Sequence, residues 1–335
     1  MGPTSVRIYT RAMTNPAISV LIPAYNAENT ITAAVWSVLN QSFTDFELLV
    51  CIDGATDKTI DMVAGISDPR LRVMVEGFNK GIANTRNRLV SEARGHCIAW
   101  LDADDIMLPG RLQEQYGYLQ THPEVDILAG WAELRNSKLK KVLIGTQPDY
   151  LKTSLLFRNP FVQSSIMARN FFVQEGLLFN AAFDYTEDYD WYLRCLAAGK
   201  KFAVLPAFVV SYRQSDAEEA ISKNRKYNLD EKLKTLLLRT HSHLQPEDAA
   251  VVIKFLRNNH KLSQVEFSAV RRFLVHLKQQ LRQSKQFNAG VAAAMLYQRF
   301  RLIKLRFGLL RALVRLVGTR PAIVRLMLGN RTRYQ

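Results

Sequence analysis

Three aspartates are crowded into four positions of a basic chain. Asp102, Asp104 and Asp105 directly follow the apolar run at residues 97–101, in a chain whose formal net charge is +15. Carboxylates this close together raise one another's pKa unless a cation lies among them. The cluster therefore predicts one of two structures. It is either a solvated turn in which Asp105 caps the following helix, or a site that holds a metal ion.

Apolar runs alternate with helical patterns through the segment that contains these aspartates. Strand-like runs occupy residues 18–22, 46–52, 71–75 and 97–101, and helical spacing covers residues 27–39, 57–64, 81–93 and 109–119. This alternation predicts an α/β fold, with a mostly parallel, Rossmann-like sheet flanked by helices. We expect Pro23 to end the first strand.

The acidic residues fall where such a sheet binds ligands. Asp53 follows the second run and the aspartate cluster follows the fourth, so both should line the carboxyl edge of the sheet. Glu187 and Asp188, before a helical pattern at residues 189–198, could add a carboxylate from a later element. The alternative for this pair is that the two acids simply favour the first turn of a helix.

The remaining composition bounds the class of protein. Residues 1–17 lack the apolar core of a secretion signal and are predicted to form a flexible tail. Cys51, Cys97 and Cys195 are an odd number, each in an apolar segment, so we expect no disulfide and a cytoplasmic location. No run of eighteen uncharged apolar residues occurs, so no transmembrane span is predicted.

Charge divides the chain into two regions. Residues 220–335 contain 24 basic and five acidic residues, a net of +19, whereas the rest has a net of −4. Helical patterns at residues 223–241, 246–258, 263–284, 289–317 and 321–328 predict a basic all-helical region over residues 216–335. We expect it to bind an anionic membrane surface. The alternatives are a solvated bundle that packs on the rest of the chain or on a second subunit, and nucleic-acid binding, for which no motif is present.

Five motifs occur in an order that resembles glycosyltransferase family 2. They are IPAYN at residues 22–26, DGATD at residues 53–57, NKG at residues 79–81 with Arg86 and Asn87, DADD at residues 102–105, and Glu187-Asp188. The resemblance covers about residues 18–213, which gives a catalytic domain at residues 18–215. It implies a GT-A fold, a nucleotide-diphospho-sugar donor, a divalent cation (Mg²⁺ or Mn²⁺) and inversion at the anomeric carbon.

The resemblance also implies roles for individual residues. Asp104 would be the main metal ligand, Asp102 would contact the ribose or assist the metal, and Asp188 would be the general base. Asp53 would hydrogen-bond the base of the nucleotide, usually uracil. Pro23, Tyr25 and Asn26 would shape the nucleotide pocket, and Arg86 would order that pocket or its phosphates. On the acceptor side we expect Glu187, Trp191 and Ser164.

Several of these residues have simpler explanations. Arg86 could be a solvent-facing helical arginine, Trp191 could be a core residue, and Asp53 could be an ordinary turn residue beside Gly54. The family commonly has an acidic residue where this chain has Ile52, and many relatives have a histidine shortly after the position of Tyr212-Arg213, where this chain has Gln214-Ser215. These departures leave open a catalytically inactive binding or scaffold protein.

Taken together, the motifs predict an inverting, metal-dependent transferase. It would move one hexose or N-acetylhexosamine from a UDP-linked donor to a surface polysaccharide or a lipid-linked oligosaccharide. The processive-synthase motif Gln-x-x-Arg-Trp is absent from the sequence, which favours one sugar per event. We expect the protein to act at the inner face of the cell membrane, where it could form oligomers.

Overall fold

The computed structural model describes residues 15–135, 141–213, 226–241 and 244–256, together with residues 266, 268–270, 272–273 and 275–277. The chain divides into two compact units. Among the described residues, the first unit comprises 15–135, 141–146 and 161–213, and the second comprises 147–160 and those after residue 225. The sequence predicts a single boundary at residue 215, whereas residues 147–160 also belong to the second unit.

Among the described residues, nine strands form one sheet. The strands are β1 Ile18–Ala24, β2 Phe46–Asp53, β3 Leu71–Glu76, β4 Cys97–Trp100, β5 Ile106–Met107, β6 Ile127–Arg135, β7 Lys141–Val142, β8 Met167–Arg169 and β9 Phe202–Arg213. The helices are α1 Ile31–Leu39, α2 Thr59–Ala64, α3 Ile82–Glu92, α4 Arg111–Thr121, α5 Pro148–Leu155, α6 Glu187–Ala197, α7 Lys226–Thr240 and α8 Pro246–Leu256. Two 3₁₀ turns, Gln163–Ser165 and Ala181–Phe183, precede β8 and α6.

The sheet order is β3-β2-β1-β4-β8-β6-β9-β5, with β7 paired to β6. The four strands from β3 to β4 pair in parallel, as the alternating pattern predicts. Beyond β4 the sheet is mixed, because β8 runs antiparallel to both of its neighbours while β6 and β9 are parallel. The α/β class is confirmed, and a parallel half joins a mixed half at β4.

β1 continues past the proline that was expected to end it. Pro23 lies inside the strand, pairs with Cys51 of β2, and is buried. On the other side of β1, the Leu101 N–H donates to Leu21 O, and the ladder to β4 ends there. The amide position of Pro23 faces the same side as that of Leu21, so its missing N–H falls where no neighbouring strand needs it.

The core lies along β1 and β2, both buried throughout their length. Strands covered on both faces are continuous apolar runs rather than alternating ones. These two strands bring residues 24–26 and residue 53 to the same edge of the sheet, because they are parallel and adjacent.

The second unit is helical among the described residues. His241, which follows α7, donates through Nε2 to Leu156 O at 3.0 Å, and its ring meets Phe273 edge-on. Asp248 in the first turn of α8 pairs with Arg272 at 2.6 Å. None of the helices in the described part of the chain is long and apolar enough to cross a membrane. The basic helical patterns at residues 289–317 and 321–328 lie outside the described residues.

Candidate active site

The aspartate turn, residues 102–105, joins β4 to β5 and is held by later parts of the chain. The Asp102 N–H donates to Ser164 Oγ at 2.9 Å. The Arg213 N–H donates to Asp105 Oδ1 at 2.7 Å. Asp105 is fully buried and β5 follows it directly, so it does not cap a helix. The N-cap of α4 is Gly110, with φ +80. The solvated-turn interpretation is therefore wrong for Asp105.

Charge in the aspartate turn is poorly neutralised by the protein. Burial and the neighbouring Asp102 raise the pKa of Asp104 to about 6. Burial, Asp102 and Asp104 raise the pKa of Asp105 to about 8. A divalent cation near Asp102 and Asp104 would relieve this crowding.

The donor set suits a cation whose shell is completed by other molecules. Asp102 and Asp104 are both partly exposed, and the side chain of Asp102 has 29% of its surface accessible. Among the described residues, no group of three or more His, Cys, Asp or Glu side chains is arranged to hold a metal. Two carboxylates with water and substrate phosphates form a common site for Mg²⁺, and these residues fit that arrangement.

Arg86 in α3 connects the aspartate turn to α6. One of its terminal nitrogens donates to Asp102 at 3.1 Å and the other pairs with Glu187. The guanidinium also lies 5.8 Å from the ring of Trp100 and 5.6 Å from that of Phe179. Its side chain is only 5% exposed, so the solvent-facing interpretation is wrong. Arg86 is a buried cation between two carboxylates.

The pKa values around Arg86 follow from this burial. Burial alone would lower the pKa of Arg86, but Glu187, Asp102 and Asp188 more than reverse the effect and raise it. Burial raises the pKa of Glu187 to about 7, and the guanidinium opposes a larger rise. The Arg86 side chain therefore stays charged, pairs with Asp102 and Glu187, and attracts the carboxylate of Asp188.

Glu187 and Asp188 are the first two residues of α6, not residues that precede it. Glu187 is buried, whereas Asp188 keeps intermediate exposure and accepts a hydrogen bond from the Tyr189 N–H at 2.6 Å. The helix N-terminus favours negative charge at both positions. Of the pair, Asp188 is the one that a substrate in solvent can reach.

Asp53, at the end of β2, fastens the loop that leads into α3. Its Oδ1 accepts from the Lys80 N–H at 2.8 Å and its Oδ2 from the Gly81 N–H at 3.0 Å. Gly54 has φ +62, and a Cβ there would stand 2.3 Å from the backbone of Phe78, so only glycine fits. Asp53 therefore holds the loop before α3 through two backbone hydrogen bonds, so it is not an ordinary turn residue.

At the end of β1, Tyr25 and Asn26 are exposed. Asn26 has φ +47, and its Oδ1 accepts from the Thr56 N–H at 2.8 Å, which ties the end of β1 to the loop after β2. Asparagine tolerates this left-handed backbone better than most residues. Pro23, in contrast, is buried inside β1, so it can shape the nucleotide pocket only through the strand that carries Tyr25 and Asn26.

Comparisons with known proteins show the family of this chain. The model of the family described as glycosyl transferase family 2 matches residues 19–171. A glucosyltransferase of Escherichia coli, UDP-Glc:alpha-D-GlcNAc-diphosphoundecaprenol beta-1,3-glucosyltransferase WfgD, is 30% identical over 212 residues, which are 62% of this chain and 80% of that protein. This chain belongs to glycosyltransferase family 2. An uncharacterized glycosyltransferase of Methanocaldococcus jannaschii is 28% identical over 65% of this chain and 77% of its own length.

Solved structures share the fold of this family 2 glycosyltransferase. S. aureus TarS 1–349 in complex with UDP-GlcNAc has a TM-score of 0.57 at 18% identity, covering 94% of this chain and 93% of that one. The mannosyltransferase PcManGT from Pyrobaculum calidifontis, in complex with GDP-Man and Mn²⁺, has a TM-score of 0.54 at 16% identity, covering 95% and 89%. At these identities the likeness concerns the GT-A fold alone.

The three residues expected on the acceptor side of this glycosyltransferase, Glu187, Trp191 and Ser164, are all buried. Glu187 pairs with Arg86, so it does not face an acceptor. Trp191 is fully buried, stacks on Phe172 with ring centroids 4.9 Å apart, and donates through Nε1 to Leu177 O at 2.7 Å. It is a core residue, so the expectation that it stacks on an acceptor sugar is wrong. Ser164 is also fully buried and supports Asp102 instead of touching the acceptor.

Sequence reasoning missed Arg111, a buried arginine at the start of α4. Its side chain donates to Ser164 O at 2.6 Å and to Trp100 O at 3.0 Å, so it braces the segments on both sides of the aspartate turn. Burial lowers its pKa to about 9 and Asp105 opposes the shift. An arginine in the first turn of an amphipathic helix carries no signal of burial, because its partners are carbonyls distant in sequence.

Proposed function

We propose that this chain is an inverting, metal-dependent glycosyltransferase. It moves one hexose or N-acetylhexosamine from a UDP-sugar to a surface polysaccharide or a lipid-linked oligosaccharide. The observation that carries the proposal is the buried cation Arg86, which places Asp102 of the aspartate turn and the first turn of α6 at one site. A donor-side carboxylate and an acceptor-side carboxylate at one site are what a single displacement requires.

The donor side is formed by the ends of β1, β2 and β4. Tyr25 and Asn26 are exposed there, and Asp53 lies beside them across the β1–β2 ladder. Each oxygen of the Asp53 carboxylate accepts one backbone N–H and has capacity for another donor, so a contact with a nucleotide base is compatible with its structural role. The choice of UDP is supported by the E. coli relative, whose name specifies UDP-Glc, and by the TarS complex with UDP-GlcNAc.

Asp104 and Asp102 would hold the divalent cation. When bound, the cation neutralises the charge that develops on the diphosphate leaving group. Arg135 donates to the Asp104 backbone oxygen at 2.7 Å, and Ser164 and Arg111 support the preceding segment. These contacts fix the backbone of the turn before any substrate binds, which reduces the reorganisation required at the moment of reaction.

Asp188 is proposed as the general base. Its carboxylate, partly exposed at the N-terminus of α6, would accept the proton of the acceptor hydroxyl as that oxygen attacks the anomeric carbon. Attack from the face opposite the nucleotide inverts the configuration. The positive charge of Arg86 stabilises the ionised carboxylate of Asp188. The ion pair between Glu187 and Arg86 holds the N-terminus of α6 in place.

The acceptor class and the location rest on the relatives and on charge. The E. coli relative is named for an acceptor attached to diphosphoundecaprenol. Residues 267–335 of the sequence contain no aspartate or glutamate. We propose that the basic region brings the enzyme to the inner face of the membrane, where it works peripherally from the cytoplasm.

Calorimetric titration tests the donor site. UDP, GDP and CDP are titrated with and without Mn²⁺ into the wild type, into Asp104→Ala and into Asp61→Ala, a matched change at an exposed position on α2. We expect UDP to bind only with the metal, Asp104→Ala to lose that binding and Asp61→Ala to keep it. Absence of binding by any nucleotide to the folded wild type contradicts the proposed function.

A further inference from the structure

An exposed tyrosine precedes the proposed base on a turn with an unusual backbone. Tyr185 has φ +69 and half of its side chain is exposed. Among the described residues other than glycine, only Asn26 shares a positive φ. Asparagine is tolerated in the left-handed region, whereas a bulky aromatic residue there is a genuine outlier. The strain at Tyr185 therefore needs an explanation that the residue type does not supply.

The turn around Tyr185 is held from both sides. Phe183, two residues before it, and Thr186, directly after it, are buried. The Thr186 N–H donates to Phe183 O at 2.7 Å, and the Thr186 hydroxyl donates to the same oxygen at 3.0 Å. The Asp190 N–H then joins Thr186 O at 3.0 Å, which continues the turn into α6. Residues in strained conformations persist only where the surroundings impose them, and they cluster at binding sites.

The same turn lies beside the donor side of the site. The Asp184 carboxylate stands 3.7 Å from where a Cβ on Gly81 would be. Gly81 is the residue whose N–H binds Asp53. Asp188 follows Tyr185 by three residues, in the first turn of α6. Tyr185 is thus carried on a rigid turn between the donor-side loop and the proposed base.

We propose that the Tyr185 ring is the platform on which the acceptor sugar stacks, which makes it a specificity-determining residue. This inference rests on the proposed function, since it concerns the acceptor of that reaction. Aromatic side chains offer a large flat apolar surface at a low cost in side-chain entropy, and the hydroxyl gives a polar edge. Trp191, the aromatic residue expected in this role, is fully buried and cannot perform it.

Three substitutions separate the ring from the backbone strain. Tyr185→Phe keeps the ring, Tyr185→Asn keeps a residue that tolerates a positive φ but removes the ring, and Tyr185→Gly removes both ring and strain. Relief of strain should raise the Tm of the glycine variant by about 2–4 °C. The asparagine and phenylalanine variants provide matched controls for each other.

The probe is a set of simple acceptor mimics, the methyl glycosides of glucose, galactose, mannose and N-acetylglucosamine. Their binding to the full chain loaded with UDP and Mg²⁺ is followed by saturation-transfer NMR, and UDP binding is measured separately by calorimetry. We expect at least one glycoside to bind the wild type and Tyr185→Phe. The same glycoside should bind Tyr185→Asn and Tyr185→Gly about tenfold more weakly, as loss of one stacking contact implies.

Each outcome bears on one idea. Unchanged UDP binding with weaker glycoside binding in the two variants without a ring supports the platform. Equal glycoside signals from all four proteins, or no signal from any of them, overturn it even if UDP binds normally. Failure of the wild type to bind UDP is a different result, because it contradicts the proposed function itself.

Discussion

Arg86 and Glu187 are 101 residues apart in the chain, yet they form an ion pair in which each side chain is only 5% exposed. The pair joins α3 to α6, the helix that carries the proposed base. A buried guanidinium cannot shed its proton, so its carboxylate partners are needed for the fold as well as for the site.

Removal of one partner of this pair should destabilise the protein severely. We expect Arg86→Met to lower the free energy of unfolding by about 3–5 kcal/mol, because it leaves Glu187 buried without a counter-charge. The double variant Arg86→Met/Glu187→Leu should recover most of that loss. Urea denaturation measures both. Additive losses in the double variant would mean that the two side chains do not stabilise each other.

Asp188→Asn should separate binding from chemistry. The amide is nearly the same shape but cannot accept the proton, so we expect UDP binding to be retained and transfer to fall about 10²–10⁴-fold. Release of UDP from the UDP-sugar that the wild type turns over provides the assay. Asp61→Asn, an exposed aspartate in α2, is the matched control and should be unaffected. Near-normal transfer by Asp188→Asn would mean that another residue is the general base.

Trp191 should behave as a core residue. Trp191→Ala is expected to cost about 3–5 kcal/mol of stability, because it leaves a cavity among Phe171, Phe172 and Phe179. Trp191→Phe should cost less and leave binding of methyl glycosides unchanged. Thermal unfolding and the NMR titration distinguish the two effects. A stable Trp191→Phe variant with impaired glycoside binding would mean that Trp191 does contribute to the acceptor site.

The basic region should bind anionic membranes in a salt-dependent way. At low salt we expect the full chain to cosediment with vesicles that contain phosphatidylglycerol, and at high salt we expect it to dissociate from them. It should not bind neutral phosphatidylcholine vesicles at either salt concentration. The net charge of +19 over residues 220–335 supplies the attraction. Salt-sensitive binding to duplex DNA that is tighter than binding to the anionic vesicles would favour a nucleic-acid partner instead.

The parallel half of the sheet and the position of the aspartates could be predicted from the sequence, because both are local features. A strand buried on both faces is a continuous apolar run, and a carboxylate that follows it must lie at the edge of the sheet. β1 and β2 confirm the first point, and the location of Asp53 and Asp102 at strand ends confirms the second.

The burial of Arg86, Ser164 and Trp191 could not be predicted in the same way, because it depends on distant segments. An arginine or a tryptophan on one helical face fits a core and a binding surface equally well. Arg86 becomes a buried cation only because Glu187 meets it, and Ser164 becomes a support only because it accepts the Asp102 N–H. Contacts of this kind leave no periodic signal.

The hydrogen bond from the Arg213 N–H to Asp105 spans 108 residues. This separation affects the order in which parts of the protein fold as the chain is synthesised. A nascent chain that has emerged only through β4 can begin to pair β1, β2 and β3, but Asp105 does not receive the Arg213 N–H until β9 is complete. Contacts of such long sequence separation form slowly because their loops are entropically costly to close. The candidate site is therefore among the last parts of the first unit to be completed, and a chain that stops before residue 213 should carry all three aspartates without the bond that holds Asp105.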